Sequence, residues 1–98
     1  MKVELHPEAD EEFAAQVDYY EDQEVGLGLK FYHEVIAHLD WIAANATVPR
    51  LRRDHRRVNL KVFPFYIAYV VDGDRVWVLA VASGQKRPHY WTERLKDR

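Results

Sequence analysis

Two runs of basic and aromatic side chains carry the chemistry that this sequence offers. Arg50, Arg52, Arg53, Arg56 and Arg57 fall within eight positions, and Lys61 follows four residues after Arg57. Near the other end, Lys86, Arg87, His89, Tyr90 and Trp91 form a second run. Guanidinium and ammonium groups beside stackable rings suit phosphate contact and base stacking. The competing reading of the same residues is a set of cations that pair with acidic helices or stay solvated. Either run alone is a weak signal; two runs that one sheet brings together are a stronger one.

Other chemistries are excluded or unsupported. The 98-residue chain has no cysteine, which removes disulfides, thiolate metal sites and a cysteine nucleophile. His33 and His38 bracket a Glu34-Val35-Ile36-Ala37 stretch that superficially suggests a zinc-protease helix. Their spacing of five puts them about 140° apart on a helix, too far to share one ion. His6, His55 and His89 lie in separate segments, and nothing in their spacing supports a metal site. We therefore expect no metal and no cofactor. No glycine-rich phosphate loop and no nucleophile elbow occurs. The carboxylates that crowd residues 8–12 read as a solvated acidic face.

Charge is unevenly distributed. Residues 1–45 hold eleven acids and two bases, a net −9, whereas residues 46–98 hold twelve bases and five acids, a net +7. The sum is −2, so the whole chain is not basic although its second half is. Such asymmetry points either to an anionic partner of the basic half or to attraction between the halves within one fold. No apolar run reaches the ~18 residues of a membrane span, and the charged start does not read as a signal peptide. The expectation is a single cytoplasmic domain over residues 1–98.

The elements that must position these residues follow from periodicity. Lys2 to Leu5 reads as a short strand. His6-Pro7 opens a helix, with Pro in the first turn and Glu8, Asp10, Glu11 and Glu12 at the positive end of its dipole. Ala9, Phe13, Val17 and Tyr20 form its apolar stripe, and it runs to about Asp22. Gly26 and Gly28 break the pattern. A second helix from about Leu27 to Ala44 carries Phe31, Val35, Leu39 and Ile42 on one stripe, widened by Tyr32, Ile36 and Ala43. Asn45 to Asp54 is a loop. Val58 to Lys61 alternates as a half-buried strand, so that Arg57 and Lys61 share a face. Phe65–Val71 and Val76–Ala82 are strands joined by the Asp72-Gly73-Asp74 turn.

The order is β-α-α-β-β-β with a tail: an α+β domain with a helical hairpin on a twisted, mostly antiparallel sheet. The last two strands are apolar at nearly every position, and two helices cover only one sheet face. The other face is covered by the tail, lined as a groove, or buried by a second chain.

Read together, Tyr19-Tyr20-Glu21, Gly26-Leu27-Gly28 and Phe31, then Arg57-Val58-Asn59-Leu60-Lys61 and Phe63-Pro64-Phe65, resemble the RelE/ParE superfamily of toxins. Ile67-Ala68-Tyr69, Val78-Leu79-Ala80-Val81 and the closing Arg87-Pro88-His89-Tyr90-Trp91 continue the resemblance over nearly the whole chain, in its plasmid-stabilisation branch. It implies the toxin of a bacterial type II toxin–antitoxin pair, inhibited by direct binding of a cognate antitoxin in a hetero-oligomer. It also implies that an antitoxin segment covers the open sheet face.

The superfamily divides over its target. ParE-like members act on DNA gyrase, and there Arg53, Arg56, Lys86, His89 and Trp91 are expected contacts to the target. RelE-like members are ribosome-dependent, metal-independent mRNA endonucleases. In that alternative, Arg57, Lys61, Arg87 (or Lys86) and Tyr90 match catalytic positions. Tyr66 stands where those nucleases have an arginine, and Asn59 where they have a lysine. The departures favour gyrase over the ribosome and mRNA; a non-catalytic, partner-binding scaffold is the second alternative.

Overall fold

The computed structural model describes residues 1–97. Strand β1 (Lys2–Leu5) leads into helix α1 (Pro7–Gln23), and α2 (Leu27–Asn45) returns beside it. Strands β2 (Arg56–Asn59), β3 (Phe65–Asp72) and β4 (Arg75–Ser83) follow, and a 3-10 helix (Thr92–Asp97) ends the described chain. The sheet order is β1-β4-β3-β2, with β1 parallel to β4 and the other pairs antiparallel. This α+β arrangement is the expected one, with boundaries shifted by a residue or two. None of the described helices is long and apolar enough to cross a membrane.

Local chemistry explains the joints. The His6 amide donates to the Val78 carbonyl (2.8 Å), ending β1, and its Nδ1 accepts from the Glu8 amide (3.0 Å) to cap α1. Pro7 occupies the first turn, where no amide is needed. Between the helices, the Glu21 carboxylate accepts from the amides of Gly26 (2.9 Å) and Gly28 (3.1 Å), holding the turn from one side. Gly26 adopts φ 87°, and Gly28 lies hard against the Val17 carbonyl and the Glu21 side chain.

The helices cover one sheet face. Ala9, Phe13, Phe31, Val35, Leu39 and Ile42 meet Ile67, Tyr69, Val76 and Val78 in the main core. An aromatic knot tightens one end: the Phe31 ring centre lies 5.1 Å from Phe63 and 5.0 Å from Phe65, and Tyr20 lies 4.9 Å from Phe63. Tyr69 is buried, and its hydroxyl donates to the Ala46 carbonyl (2.8 Å), tying the end of α2 to β3. Tyr32 departs from the expected stripe: it is 42% exposed and stacks on Phe13 at 5.6 Å.

Two expectations need correction. The first strand of the hairpin sheet stops at Asn59, so Lys61 lies beyond it and shares no strand face with Arg57. The cause is Glu34 on α2, whose carboxylate accepts from the amides of Val62 (3.1 Å) and Phe63 (3.2 Å) and turns the chain away. The second concerns the other sheet face. The resemblance placed an antitoxin segment there, but of the three coverings the strands allowed, it is the protein's own tail that closes the face. Trp91, 1% exposed, lies with Tyr90 and Leu95 against Tyr66, Ala68, Val70, Trp77, Leu79, Ala80 and Ala82. Three alanines keep that surface shallow, which lets a single indole cover much of it.

The helical hairpin depends on the missing side chain at Gly28. We expect Gly28→Ala to cost about 1–3 kcal/mol, the usual range for overpacking against backbone. Denaturant unfolding monitored by circular dichroism measures it; an unchanged midpoint would contradict the close approach.

Candidate functional site

The basic residues are distributed around the short edge strand β2. Pairing sets their faces: Arg56 lies opposite Tyr69 and Val58 opposite Ile67, towards the helices. Arg57 lies opposite Ala68 and Asn59 opposite Tyr66, towards the tail. Arg56 turns its guanidinium back to the carbonyls of Pro49 (2.7 Å) and Thr47 (3.3 Å), fastening the long loop. Arg57 stacks over Tyr66, 3.8 Å from the ring centre, and its Nη2 donates to Asn59 Oδ1 (3.3 Å). Its Nε is buried with no partner. Tyr66 therefore carries a cation on its face rather than supplying one.

A groove of about 510 Å³ runs between α2 and β2, lined by His38, Trp41, Pro49, Arg57, Asn59 and Lys61 with Ala37 and Val58. Its floor is mainly apolar, and its rim carries the two cations. Trp41 is 42% exposed here, a large ring left partly open to solvent. His38 donates from Nδ1 to the Glu34 carbonyl (2.8 Å) within its own helix. Beside the groove, β2 presents an unpaired sheet edge, since β3 occupies its other side. Arg53, Lys61, Lys86, Arg87 and His89 are exposed. Arg52 is crowded enough to lose basicity, first through desolvation and then through the charges of Arg57 and Arg50.

The tail residues have a different fate. Tyr90 lines a separate, smaller recess with Glu12, Gln16, Phe65 and Lys86. Its hydroxyl donates to Glu12 Oε2 (2.7 Å), and the Lys86 ammonium sits 5.0 Å from its ring centre. Burial, then the bond to the Glu12 carboxylate, pushes the Tyr90 phenol well above its ordinary value of 10. Trp91 donates from Nε1 to the Tyr66 hydroxyl (3.0 Å). It is core, which corrects its assignment as a surface contact: the indole lies buried against the alanine-lined face. Thus Arg57 and Lys61 share one groove and Lys86 and Tyr90 another, with Tyr66 between them.

Sequence reasoning missed the residue that fastens this tail. Arg94 is only 9% exposed. Its Nε donates to Glu8 (2.9 Å), its Nη1 and Nη2 donate to the two Glu12 oxygens (2.9 and 2.8 Å), and Nη1 also reaches the Leu79 carbonyl (2.9 Å). Hydrogen bonding to Glu12 raises its basicity further, against the desolvation that opposes it. The carboxylates of α1 that read as a solvated face include these two ligands of a nearly buried cation. Only the −9/+7 division of charge hinted at such a pairing. Among the described residues, no three histidine, aspartate or glutamate side chains gather as a metal site.

Two outcomes follow. Removing the guanidinium leaves Glu12 uncompensated, so Arg94→Leu is expected to cost about 3–5 kcal/mol in denaturant unfolding, with Trp91 fluorescence shifting towards that of an exposed indole. Tyr90 gives a pH test. Its raised folded value means that its contribution to stability is complete below pH 10, the ordinary value, and is lost as the pH rises above it. The alkaline loss of stability should be shallower in Tyr90→Phe; identical slopes would contradict the Glu12 bond.

The family profile described as the ParE toxin of the type II toxin–antitoxin system parDE matches residues 3–88. No curated protein matches the chain significantly. Among solved structures, the chromosomal ParDE toxin–antitoxin system from P. aeruginosa is similar in fold, with a TM-score of 0.70 at 20% identity, covering 85% of this chain and 95% of that one. The sequence resemblance, the strand order and the profile agree: the chain belongs to the ParE toxin family of type II toxin–antitoxin systems.

Proposed function

We propose that this domain arrests bacterial growth in the cytoplasm by acting on DNA gyrase, and that a cognate antitoxin neutralises it by direct binding. The observation that carries this reading over the nuclease alternative is the Tyr90–Glu12 bond (2.7 Å). A phenol that donates to a carboxylate, with its own acidity suppressed, is poorly suited to take or give a proton at a scissile phosphate. Tyr66 in place of a cation weakens phosphate stabilisation as well, since each such charge contributes on the order of 10²–10³ in rate, by analogy with an oxyanion donor. Binding to a large anionic or mixed target needs no such catalytic geometry. The exposed Arg53, Lys86, Arg87 and His89 suit that contact.

The antitoxin seat that fits best is the groove between α2 and β2. An extended segment with apolar anchors and carboxylates fills the floor around Trp41, meets Arg57 and Lys61, and adds main-chain bonds along the β2 edge. This replaces the sheet face closed by Trp91 as the expected docking surface.

Induction of the chain alone should stop incorporation of DNA precursors before that of amino acids, and the purified protein should inhibit gyrase supercoiling at micromolar concentration. Cleaved transcripts in a translating lysate, with supercoiling untouched, would favour the ribosome-dependent nuclease. Growth that continues through induction, with a stable antitoxin complex, would leave the scaffold reading. For the complex, Trp41→Ala is expected to cost about 2 kcal/mol or more of antitoxin affinity by titration calorimetry, as for a buried aromatic anchor.

A further inference from the structure

Neither the core nor the groove accounts for His55. It precedes β2 and is 2% exposed. Its Nδ1 lies 2.8 Å from Asp54 Oδ1. An ionised carboxylate only accepts, so Nδ1 holds a proton, and Nε2 is the ring nitrogen left to take another partner. That Nε2 is buried with no hydrogen-bond partner. A buried polar atom without a partner ordinarily costs about 1–3 kcal/mol.

A second imidazole lies beside it. The His89 ring centre is 5.7 Å from that of His55, with the planes at 71°, and Trp91 packs against both rings at 4.6 and 5.6 Å. His89 is exposed, yet its backbone sits at φ 61°, the only non-glycine residue with positive φ among those described. The Thr92 amide (3.1 Å) and hydroxyl (2.6 Å) both donate to the His89 carbonyl and hold this turn. Backbone held in the left-handed region clusters at functional sites.

We propose that His55 and His89 bind one divalent transition-metal ion of the kind imidazole prefers: Ni²⁺, Zn²⁺ or Cu²⁺. With metal–nitrogen bonds of about 2.0–2.1 Å and a tetrahedral angle, two ligating rings have their centres about 5 Å apart. The observed 5.7 Å is within about 1 Å of that separation, and the exposed His89 is the ring free to reorient. Asp54 supplies the outer-sphere carboxylate that fixes the tautomer and orientation of a metal-bound histidine. Arg56 and Arg57, which follow His55, have their guanidiniums engaged elsewhere, on the loop carbonyls and on Tyr66. No third ligand of the chain gathers there among the described residues, so water completes the shell. Such an ion joins the loop before β2 to the tail that carries Trp91, and makes tail docking sensitive to metal. The site goes beyond the toxin reading and does not depend on it.

The test is calorimetric titration of the untagged protein with NiCl₂ at neutral pH, with thermal unfolding alongside. We expect one equivalent bound and a higher thermal midpoint in its presence. His89→Asn keeps a residue tolerant of the left-handed backbone, and should weaken binding at least tenfold and abolish the thermal shift. Asp54→Asn should weaken binding about 10–100-fold, as outer-sphere changes do. With Cu²⁺, electron paramagnetic resonance should report nitrogen ligation. The proposal is overturned if no heat is released, if His89→Asn binds like the parent, if Mg²⁺ gives the same shift, or if removing the helix histidines His33 and His38 is what abolishes binding.

Discussion

Arg94 is the contact on which the rest of this architecture turns. One guanidinium, nearly withdrawn from solvent, satisfies two carboxylates of α1 and a carbonyl of β4 at once. The carbonyl is that of Leu79, which the register shift between Ala68 and Tyr69 leaves without a cross-strand partner. A bulge in a central strand thus exposes a polar atom that needs a donor, and the tail delivers it. The same guanidinium brings along the Tyr90 hydroxyl, which shares Glu12, and helps seat Trp91 over the alanines of the second face. His6 reaches the same segment from the start of α1, with its Nε2 2.8 Å from Asp97. Helix, bulge and tail are therefore one polar assembly laid over an apolar sheet.

This assembly decides what the protein offers to others. A ParE-family domain of this size has little apolar surface to spare, and spending Trp91 on its own sheet leaves the edge at β2 as a surface open to a partner. There the exposed Trp41, the free strand edge and the cations of Arg57 and Lys61 converge. The division of labour is physical. Residues that were candidates for catalysis are split between a groove by α2 and a recess by α1, and Tyr66 joins them through stacking and a hydrogen bond to the indole.

The elements were largely legible because their periodicities are strong. The α2 stripe of Phe31, Val35, Leu39 and Ile42 is buried as its spacing requires, and Asp72-Gly73-Asp74 makes the hairpin turn with Gly73 at φ 64°. What escaped prediction depends on contacts distant in sequence. Nothing near Lys61 announces that Glu34, 28 residues before Val62, will end the strand early. Nothing around Arg94 distinguishes it from the neighbouring charges of the tail, because its carboxylate partners lie more than 80 residues away. Trp91 was legible as an aromatic beside cations, but its burial follows from the small residues it meets on two other strands. Short-range pattern finds helices and turns; it does not find the side chain that crosses from one end of the chain to the other.

The brevity of β2 has a consequence for the free molecule in solution. An unpaired strand invites identical copies to join edge to edge and stack without limit. Here only four residues are offered, and two of them are arginines. Antiparallel approach of a twin would crowd guanidiniums against guanidiniums on both sides of the new ladder. Like charges thereby oppose such pairing of identical copies, while leaving the hydrogen-bonding backbone available to a strand of opposite sign.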